Sequence, residues 1–429
     1  MTTIELQPAT KGLHGALQVP GDKSISHRAV IFSSLAEGTS YVYNFLTGED
    51  CLRTVEAFRK LGVRIDQEAD KLTIYGRGIK HLTEPAAPIY FGNSGTTARL
   101  MSGVLAGLPL FTVAYGDESL AKRPMDRVVV PLEKMGAHIY GRTEATQLPL
   151  AFKGRKLSGV TIEMNVKSAQ VKSALLLAGM LAEGETKVYE RGITRNHTEM
   201  LMPQYGITIN KNENVITVPG NQQPMASDLH IPGDISSAAF FFVAGLLTQD
   251  SELTIKNVGL NPTRDGIITT LQRMGANLAI SNQTYVGHEP VGDVTVKSGP
   301  LEALTVEGDI IANLIDEIPI LALAATQAEG TTVIKDAKEL RVKETDRIAA
   351  VAQNLIALGA NIESTDDGLI IHGPTPLTGA VVHSYGDHRI GMMNAIASLI
   401  TDSNVTIEDK DCINISYPNF FEHLSRIMK

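Results

Sequence analysis

With 429 residues, 43% of them hydrophobic and 20% charged, the chain is too long for one ordinary core and predicts two or three domains. A net charge of −9 argues against bulk nucleic-acid binding, and the two distant cysteines, Cys51 and Cys412, exclude a disulfide framework or a zinc cluster. Met1 to Gln18 show no basic-then-apolar signal design and no apolar run approaches about 18 residues, so a soluble, cytoplasmic protein without a membrane partner is expected.

The first strong element opens at Gly21-Asp22-Lys23-Ser24-Ile25-Ser26-His27-Arg28, where a Pro-Gly-Asp turn hands over to an apolar helical pattern. Asp22 or Ser24 can cap it. Lys23 and Arg28 then oppose the helix dipole, which makes sense if an anion binds beside the unpaired backbone N–H groups; a surface helix that starts basic is the plain alternative. The same design recurs. Six helical patterns start from a small or polar head: Ser24 to Gly38, Gly95 to Gly107, Gln170 to Gly184, Ser236 to Thr248, Asp316 to Gly330 and His388 to Asp402. After most of them comes a β-type segment, such as Thr39–Tyr43, Thr186–Tyr189 or Thr331–Ile334. A second helix end recurs as Leu61-Gly62-Val63, Met135-Gly136-Ala137, Tyr205-Gly206-Ile207, Met274-Gly275-Ala276 and Leu358-Gly359-Ala360, each predicting a glycine-closed helix followed by a strand.

These patterns predict a mixed α/β (α+β) chain of six units of roughly 70 residues, each strand–helix–strand–helix–strand–strand, with the last cut short at Lys429. Val19-Pro20-Gly21-Asp22-Lys23-Ser24 is echoed at Ile231-Pro232-Gly233-Asp234-Ile235-Ser236. If both are crossings, residues 22–232 form one lobe of three repeats, and residues 1–21 with 233–429 form the other. Two crossings would make a pair of lobes that opens and closes.

The helix heads carry the unusual residues. Gly92-Asn93-Ser94-Gly95-Thr96-Thr97 is a glycine-rich turn that can cradle a phosphate or carboxylate, or be a plain capped turn. Lys122-Arg123-Pro124 follows a strand and reads as a surface charge or as one of the cations of a common cleft. Ser168-Ala169-Gln170-Val171-Lys172-Ser173 opens a helix with a hydroxyl and an amide that either cap or bind a polyol, and Arg195-Asn196-His197-Thr198 precedes another helix and is a phosphate candidate. Asp316-Glu317 lies between apolar segments, with Pro319 suited to the first helical turn; the pair reads as a cap or as a partly buried general base. Arg341-Val342-Lys343-Glu344-Thr345-Asp346-Arg347 is expected to start a helix running to Gly359, with Lys343 and Arg347 on one face and Glu344 paired to Arg347. Gly386-Asp387-His388-Arg389 again places a cation in a first turn, and His388 reads as cap, core residue or proton shuttle. No His/Cys/carboxylate spacing resembles a metal site. Equivalent positions in repeated units face equivalent directions, so the heads are expected to converge on one cleft that takes multiply charged small anions.

In order and across five blocks, these motifs closely resemble the 5-enolpyruvylshikimate-3-phosphate synthase family: Gly21–Arg28, Gly92–Thr96, Lys122–Pro124, Arg341–Arg347 and Gly386–Arg389. The resemblance implies a two-lobed fold of six βαβαββ units and no cofactor. It also implies a transferase of the shikimate pathway, on the way to chorismate and aromatic amino acids, moving the enolpyruvyl group of phosphoenolpyruvate to the 5-hydroxyl of shikimate 3-phosphate. By that resemblance Lys23, Ser24, Arg28, Ser168, Ala169, Gln170, Arg195, Asp316 and Lys343 contact shikimate 3-phosphate. Lys23, Gly95, Arg123, Gln170, Arg347, His388 and Arg389 contact phosphoenolpyruvate. Asp316 is implied as the base, Glu344 as the acid on the methylene carbon, and Lys23 as a catalytic cation. Two positions depart from many members: Ala169 stands where a serine is common, and Ile415 stands where a lysine precedes a Thr-Phe-Pro-like turn. The Asn93–Leu100 block and Ile415 look like the second class of the family.

Two other readings compete. The sister transferase acting on UDP-N-acetylglucosamine usually carries Lys-Asn where this chain has Lys23-Ser24, and a cysteine in a loop where Phe91 to Pro131 has none. A non-enzymatic six-repeat clamp around nucleic acid would carry its cations along helix faces rather than at helix starts. A monomer acting on small molecules is expected.

Overall fold

The computed structural model describes residues 2–428. It divides the chain into two compact units. One comprises Met1–Pro20, Pro232–Tyr285 and Pro290–Lys429; the other comprises Gly21–Ile231 with Val286–Glu289. Each has its own apolar core. The changes of unit at Pro20/Gly21 and Ile231/Pro232 fall at the two Pro-Gly-Asp turns, and the excursion Val286–Glu289 has no signal in the sequence.

Six buried helices organise the molecule. Lys23–Leu35, Gly95–Gly107 and Ala169–Leu181 belong to the unit containing Gly21–Ile231. Ile235–Leu247, Ile318–Ala325 and His388–Ala397 belong to the other. Beyond their first turns they are buried on nearly every side, polar residues included, so none is a plain amphipathic surface helix. A second set, such as Glu49–Lys60, Asp126–Lys134 and Arg347–Ala357, buries only one side.

The sheets repeat one recipe, in which a parallel pair is extended by antiparallel strands. In the unit of Gly21–Ile231, one sheet runs Ile89–Tyr90, Phe111–Tyr115, Gln147–Lys153, Ile139–Gly141, with the first pair parallel. Another runs Thr161–Glu163, Glu185–Tyr189, Val215–Pro219, Asn210–Asn212. The first repeat borrows its parallel strand from far along the chain: Leu229–His230 pairs with Glu37–Tyr43, Leu229 opposite Val42. In the other unit, His14–Gln18 serves Glu252–Gly259 in the same way. The sixth sheet joins Val381–His383 in parallel to Val405–Glu408 and takes Thr3–Leu6 as its antiparallel strand. The fold is the expected mixed α/β chain of six related units.

Local chemistry explains the boundaries. Gly62, Gly136, Gly206, Gly275 and Gly359 all adopt positive φ, between 71° and 94°, as glycine-closed helix ends require. After Gly206 the strand begins only at Asn210, because the Gln222 side chain bonds both the N–H and the C=O of Thr208. Three inner helices start one residue before the expected position, since Asp22, Ser168 and Asp234 cap them by accepting from Ile25, Val171 and Ser236 N–H. Two end earlier than expected because Ala36 and Ala182 are already extended. The fifth ends at Ala325, and Gly330 lies inside the strand Ala328–Ile334. The sixth ends at Ala397 and continues as a 3-10 turn through Ile400.

One expectation is overturned. Arg341 does not start a long helix: Lys338–Val342 is a 3-10 turn, Lys343 is extended, and the helix begins at Arg347. Asp346 causes this by accepting from Ala349 N–H and capping the helix there. Lys343 and Arg347 therefore do not share a helix face.

Candidate active site

In the unit of Gly21–Ile231 the first three helix heads are tied together by side chains. Arg28, buried in the first helix, donates through Nε to Thr198 Oγ1 at 2.7 Å, through Nη1 to Ser24 O at 2.8 Å and through Nη2 to Ser173 Oγ at 2.6 Å. It thereby joins the first head, the third helix and the helix His197–Gln204. Burial, with Arg195 among the nearby charges, pushes its guanidinium down to about 10 despite Glu199 and Asp22. Lys23 Nζ lies 3.2 Å from Asp50 Oδ2. His27 Nδ1 is 2.7 Å from Thr54 Oγ1, and Thr54 continues through Thr97 to Ser94, the cap of the second helix. Burial, reinforced by Lys23 and Arg28 against Asp22, lowers the His27 imidazole well below 6.5 and keeps it neutral.

At the second head, Asn93 Oδ1 accepts from Arg123 and Asn93 Nδ2 donates to Asp117 at 2.7 Å. A Cβ on Gly95 would lie 3.1 Å from Arg99 Nη1 and 3.2 Å from Arg123 Nη1, so a side chain there would press those guanidiniums slightly away from the helix start. Gln170 accepts from Arg99 Nη1 at 2.5 Å and donates to Thr96 Oγ1 at 3.0 Å, bridging the second and third heads. Ser168 caps the third helix, and Ala169 O accepts from Ser173 Oγ at 2.7 Å. Ser24, Ser168, Ala169, Gln170 and Arg195 are half-buried around these heads.

The other unit gathers its residues on Arg347, which is 1% exposed. Its Nη1 donates to Asp316 Oδ1 at 3.1 Å, its Nη2 to Glu344 Oε2 at 2.7 Å, and its Nε to Asp387 Oδ2 at 2.7 Å. Burial opposes the Arg347 charge, but Asp387, Glu344 and Asp316 more than offset it and hold the guanidinium above its ordinary value. Lys343 Nζ adds a second cation 3.6 Å from Asp316 Oδ1. Asp387 also caps the sixth helix, accepting from Arg389 N–H at 2.9 Å, so Arg347 is braced against the head that carries buried His388 and Arg389. The two cations meet at Asp316 although the helix expected to align them is absent. Ile415 packs against the core of this unit.

Several partners escaped the sequence reading. Asp50, Ser173, Thr198 and Asp387 position the cations and Thr54 holds the neutral His27; of these, Ser173, Thr198 and Asp387 stood inside blocks already singled out. Lys172, 0% exposed, pairs with Glu190 at 2.8 Å and Glu199 at 2.6 Å and pins the loop before His197. His197 Nδ1 bonds Glu289 Oε1 at 2.7 Å. Among the described residues no group of three or more His, Cys, Asp or Glu side chains could hold a metal ion.

The sequence model of the family described as EPSP synthase (3-phosphoshikimate 1-carboxyvinyltransferase) matches residues 8–424. The chain belongs to the EPSP synthase family. A 3-phosphoshikimate 1-carboxyvinyltransferase of Oceanobacillus iheyensis is 53% identical over 429 residues, covering 100% of both chains. One from Bacillus pumilus is 53% identical over 418 residues, covering 97% of this chain and 98% of its own. Among solved structures, EPSP synthase from Acinetobacter baumannii superposes with a TM-score of 0.90 at 41% identity, covering 99% of this chain and 98% of its own. The enolpyruvyl transferase NikO of Streptomyces tendae, at 17% identity and a TM-score of 0.79, shares the fold over 99% of this chain and 96% of its own. EPSP synthase family membership thus rests on sequence and fold together.

Proposed function

We propose that the chain transfers the enolpyruvyl group of phosphoenolpyruvate to the 5-hydroxyl of shikimate 3-phosphate and releases phosphate. The observation that carries this reading is the Arg347 cluster, where Asp316 and Glu344 are held on one guanidinium. Asp316 takes the proton of the 5-hydroxyl as its oxygen attacks the central carbon of phosphoenolpyruvate. Glu344 delivers a proton to the methylene carbon, so the double bond becomes a methyl group on a tetrahedral adduct. Loss of a methyl proton and of phosphate then restores the double bond in the product. The substrate's anionic oxygens compete with Glu344 for the Arg347 donors, which lets Glu344 take up the proton it delivers.

The cations divide the remaining work. Lys23, Ser24, Arg28, Ser168, Ala169, Gln170 and Arg195 receive shikimate 3-phosphate, with Asp316 and Lys343 at its reacting hydroxyl. Gly95, Arg123, Gln170, Arg347, His388 and Arg389, with Lys23, receive phosphoenolpyruvate. Groups already fixed by Asp50, Asn93 and Asp387 stabilise charge in the transition state without reorganising. The chain works as a cytoplasmic monomer on small molecules, without nucleic-acid or membrane partners. Its net charge of −9 argues against a nucleic-acid partner, and among the described residues no helix is long and apolar enough to cross a membrane.

The test is phosphate release from phosphoenolpyruvate by purified protein. Release is expected only with shikimate 3-phosphate present. Release with UDP-N-acetylglucosamine instead overturns the reading.

A further inference from the structure

At the head of the fourth buried helix, Ile235–Leu247, a carboxylate of the same unit is wholly enclosed. Glu317 is 0% exposed, and its Oε1 accepts from Ser236 Oγ. Ser236 Oγ in turn accepts from Arg264 Nη2 at 2.6 Å, and that nitrogen lies 3.7 Å from Glu317 Oε1 and 3.6 Å from the capping Asp234. Glu317 Oε2 has no hydrogen-bond partner among the described residues. Burying a carboxylate with one oxygen unsatisfied costs free energy, and an apolar side chain of similar size would be cheaper there. Stability alone therefore does not account for an acid at this position.

Its neighbour does. Glu317 is joined by one peptide bond to Asp316, which points to a different pair of cations, Arg347 and Lys343. The short link between the helices Ile310–Leu314 and Ile318–Ala325 is held at both ends, with Glu317 N–H donating to Leu314 O and Glu317 O accepting from Leu321 N–H, each at 2.9 Å. Two adjacent carboxylates drawn to separate cationic sites leave the intervening peptide little freedom. We infer that Glu317 is a positioning residue for the transfer reaction: its carboxylate fills the anion position at the fourth helix head and so sets the orientation of Asp316. This inference rests on the proposed role of Asp316 as base.

Glu317→Ala vacates a carboxylate-sized space beside Arg264 and Ser236, which sodium formate can refill. In phosphate-release assays well below the unfolding temperature, Glu317→Ala is expected to lose about 10²-fold in kcat, the scale of a small misplacement of a reacting group. The KM for phosphoenolpyruvate should stay within about twofold, since Asp316 is not among the groups that receive it. Formate should restore kcat in a saturable manner, and sodium chloride at equal ionic strength should not. A kcat within about twofold of wild type, or formate acting no better than chloride, overturns the inference. Should circular dichroism show Glu317→Ala unfolded, Ser236→Ala decides: a fall of about tenfold in kcat at an unchanged KM for phosphoenolpyruvate supports the relay, and an unchanged kcat overturns it. An active wild type beside an unimpaired Glu317→Ala overturns this inference alone, whereas a wild type without shikimate 3-phosphate-dependent release overturns the functional reading as well.

Discussion

Arg347 is the residue on which most of the proposed chemistry depends, because one buried guanidinium serves three carboxylates, Asp316, Glu344 and Asp387. Replacing it by methionine leaves those acids crowded without their cation, and a loss of about 3–5 kcal/mol is expected in urea denaturation. Asp316→Asn and Glu344→Gln keep the shape of the cluster and should retain the native circular dichroism. Each should lower kcat by about 10²–10⁴-fold, the usual worth of a general acid or base, as read by steady-state phosphate release. His27 gives a separate pH signature. Its imidazole is depressed in the folded state, so the unfolded chain binds the extra proton once pH falls below 6.5. Its contribution to stability is full above that pH and is lost on acidification towards the folded value. Measured between pH 7 and 5, the melting temperature should fall less steeply in His27→Gln than in wild type.

At the scale of elements, the sequence was most informative where local rules act. Capped heads, apolar helices and glycine-closed ends follow from neighbours within four residues, so Gly95–Gly107 was legible to the residue. The segment 341–347 was misread because its charge spacing also suits a helix, and the Asp346 cap one residue before Arg347 wins instead. Asp346→Ala removes that cap and should cost about 1 kcal/mol while loosening the turn that orients Arg347. The check is a lower melting temperature together with a reduced kcat. What stayed illegible was pairing over long separations: Asp50 with Lys23, Thr198 with Arg28, Asp387 with Arg347, and the buried Lys172 with Glu190 and Glu199. Each polar group reads alone as a surface charge or a cap. Only the fold supplies the partner that makes its burial affordable.

At the scale of the whole molecule, the chain builds two cores from one repeated unit and carries part of the charge set in each. The unit with Lys23, Arg28, Arg123 and Gln170 carries mainly donors and cations, and the unit with Asp316, Glu344 and Arg347 carries the acid and base proposed above. The echoed Pro-Gly-Asp turns already pointed to the N-terminal segment joining residues 233–429, where Thr3–Leu6 completes the last sheet, but the pairing of Leu229–His230 with the first sheet was beyond a linear reading. Shikimate 3-phosphate at about 100 times its Kd should stabilise the protein by about 2.7 kcal/mol, visible as a raised melting temperature. The most direct test of enolpyruvyl transfer is the mass of the product formed from phosphoenolpyruvate and shikimate 3-phosphate in D2O. Transfer by protonation of the methylene carbon predicts shikimate 3-phosphate enlarged by one enolpyruvyl group, with deuterium in its methylene. Pyruvate with unmodified shikimate 3-phosphate, or an adduct free of deuterium, would contradict it.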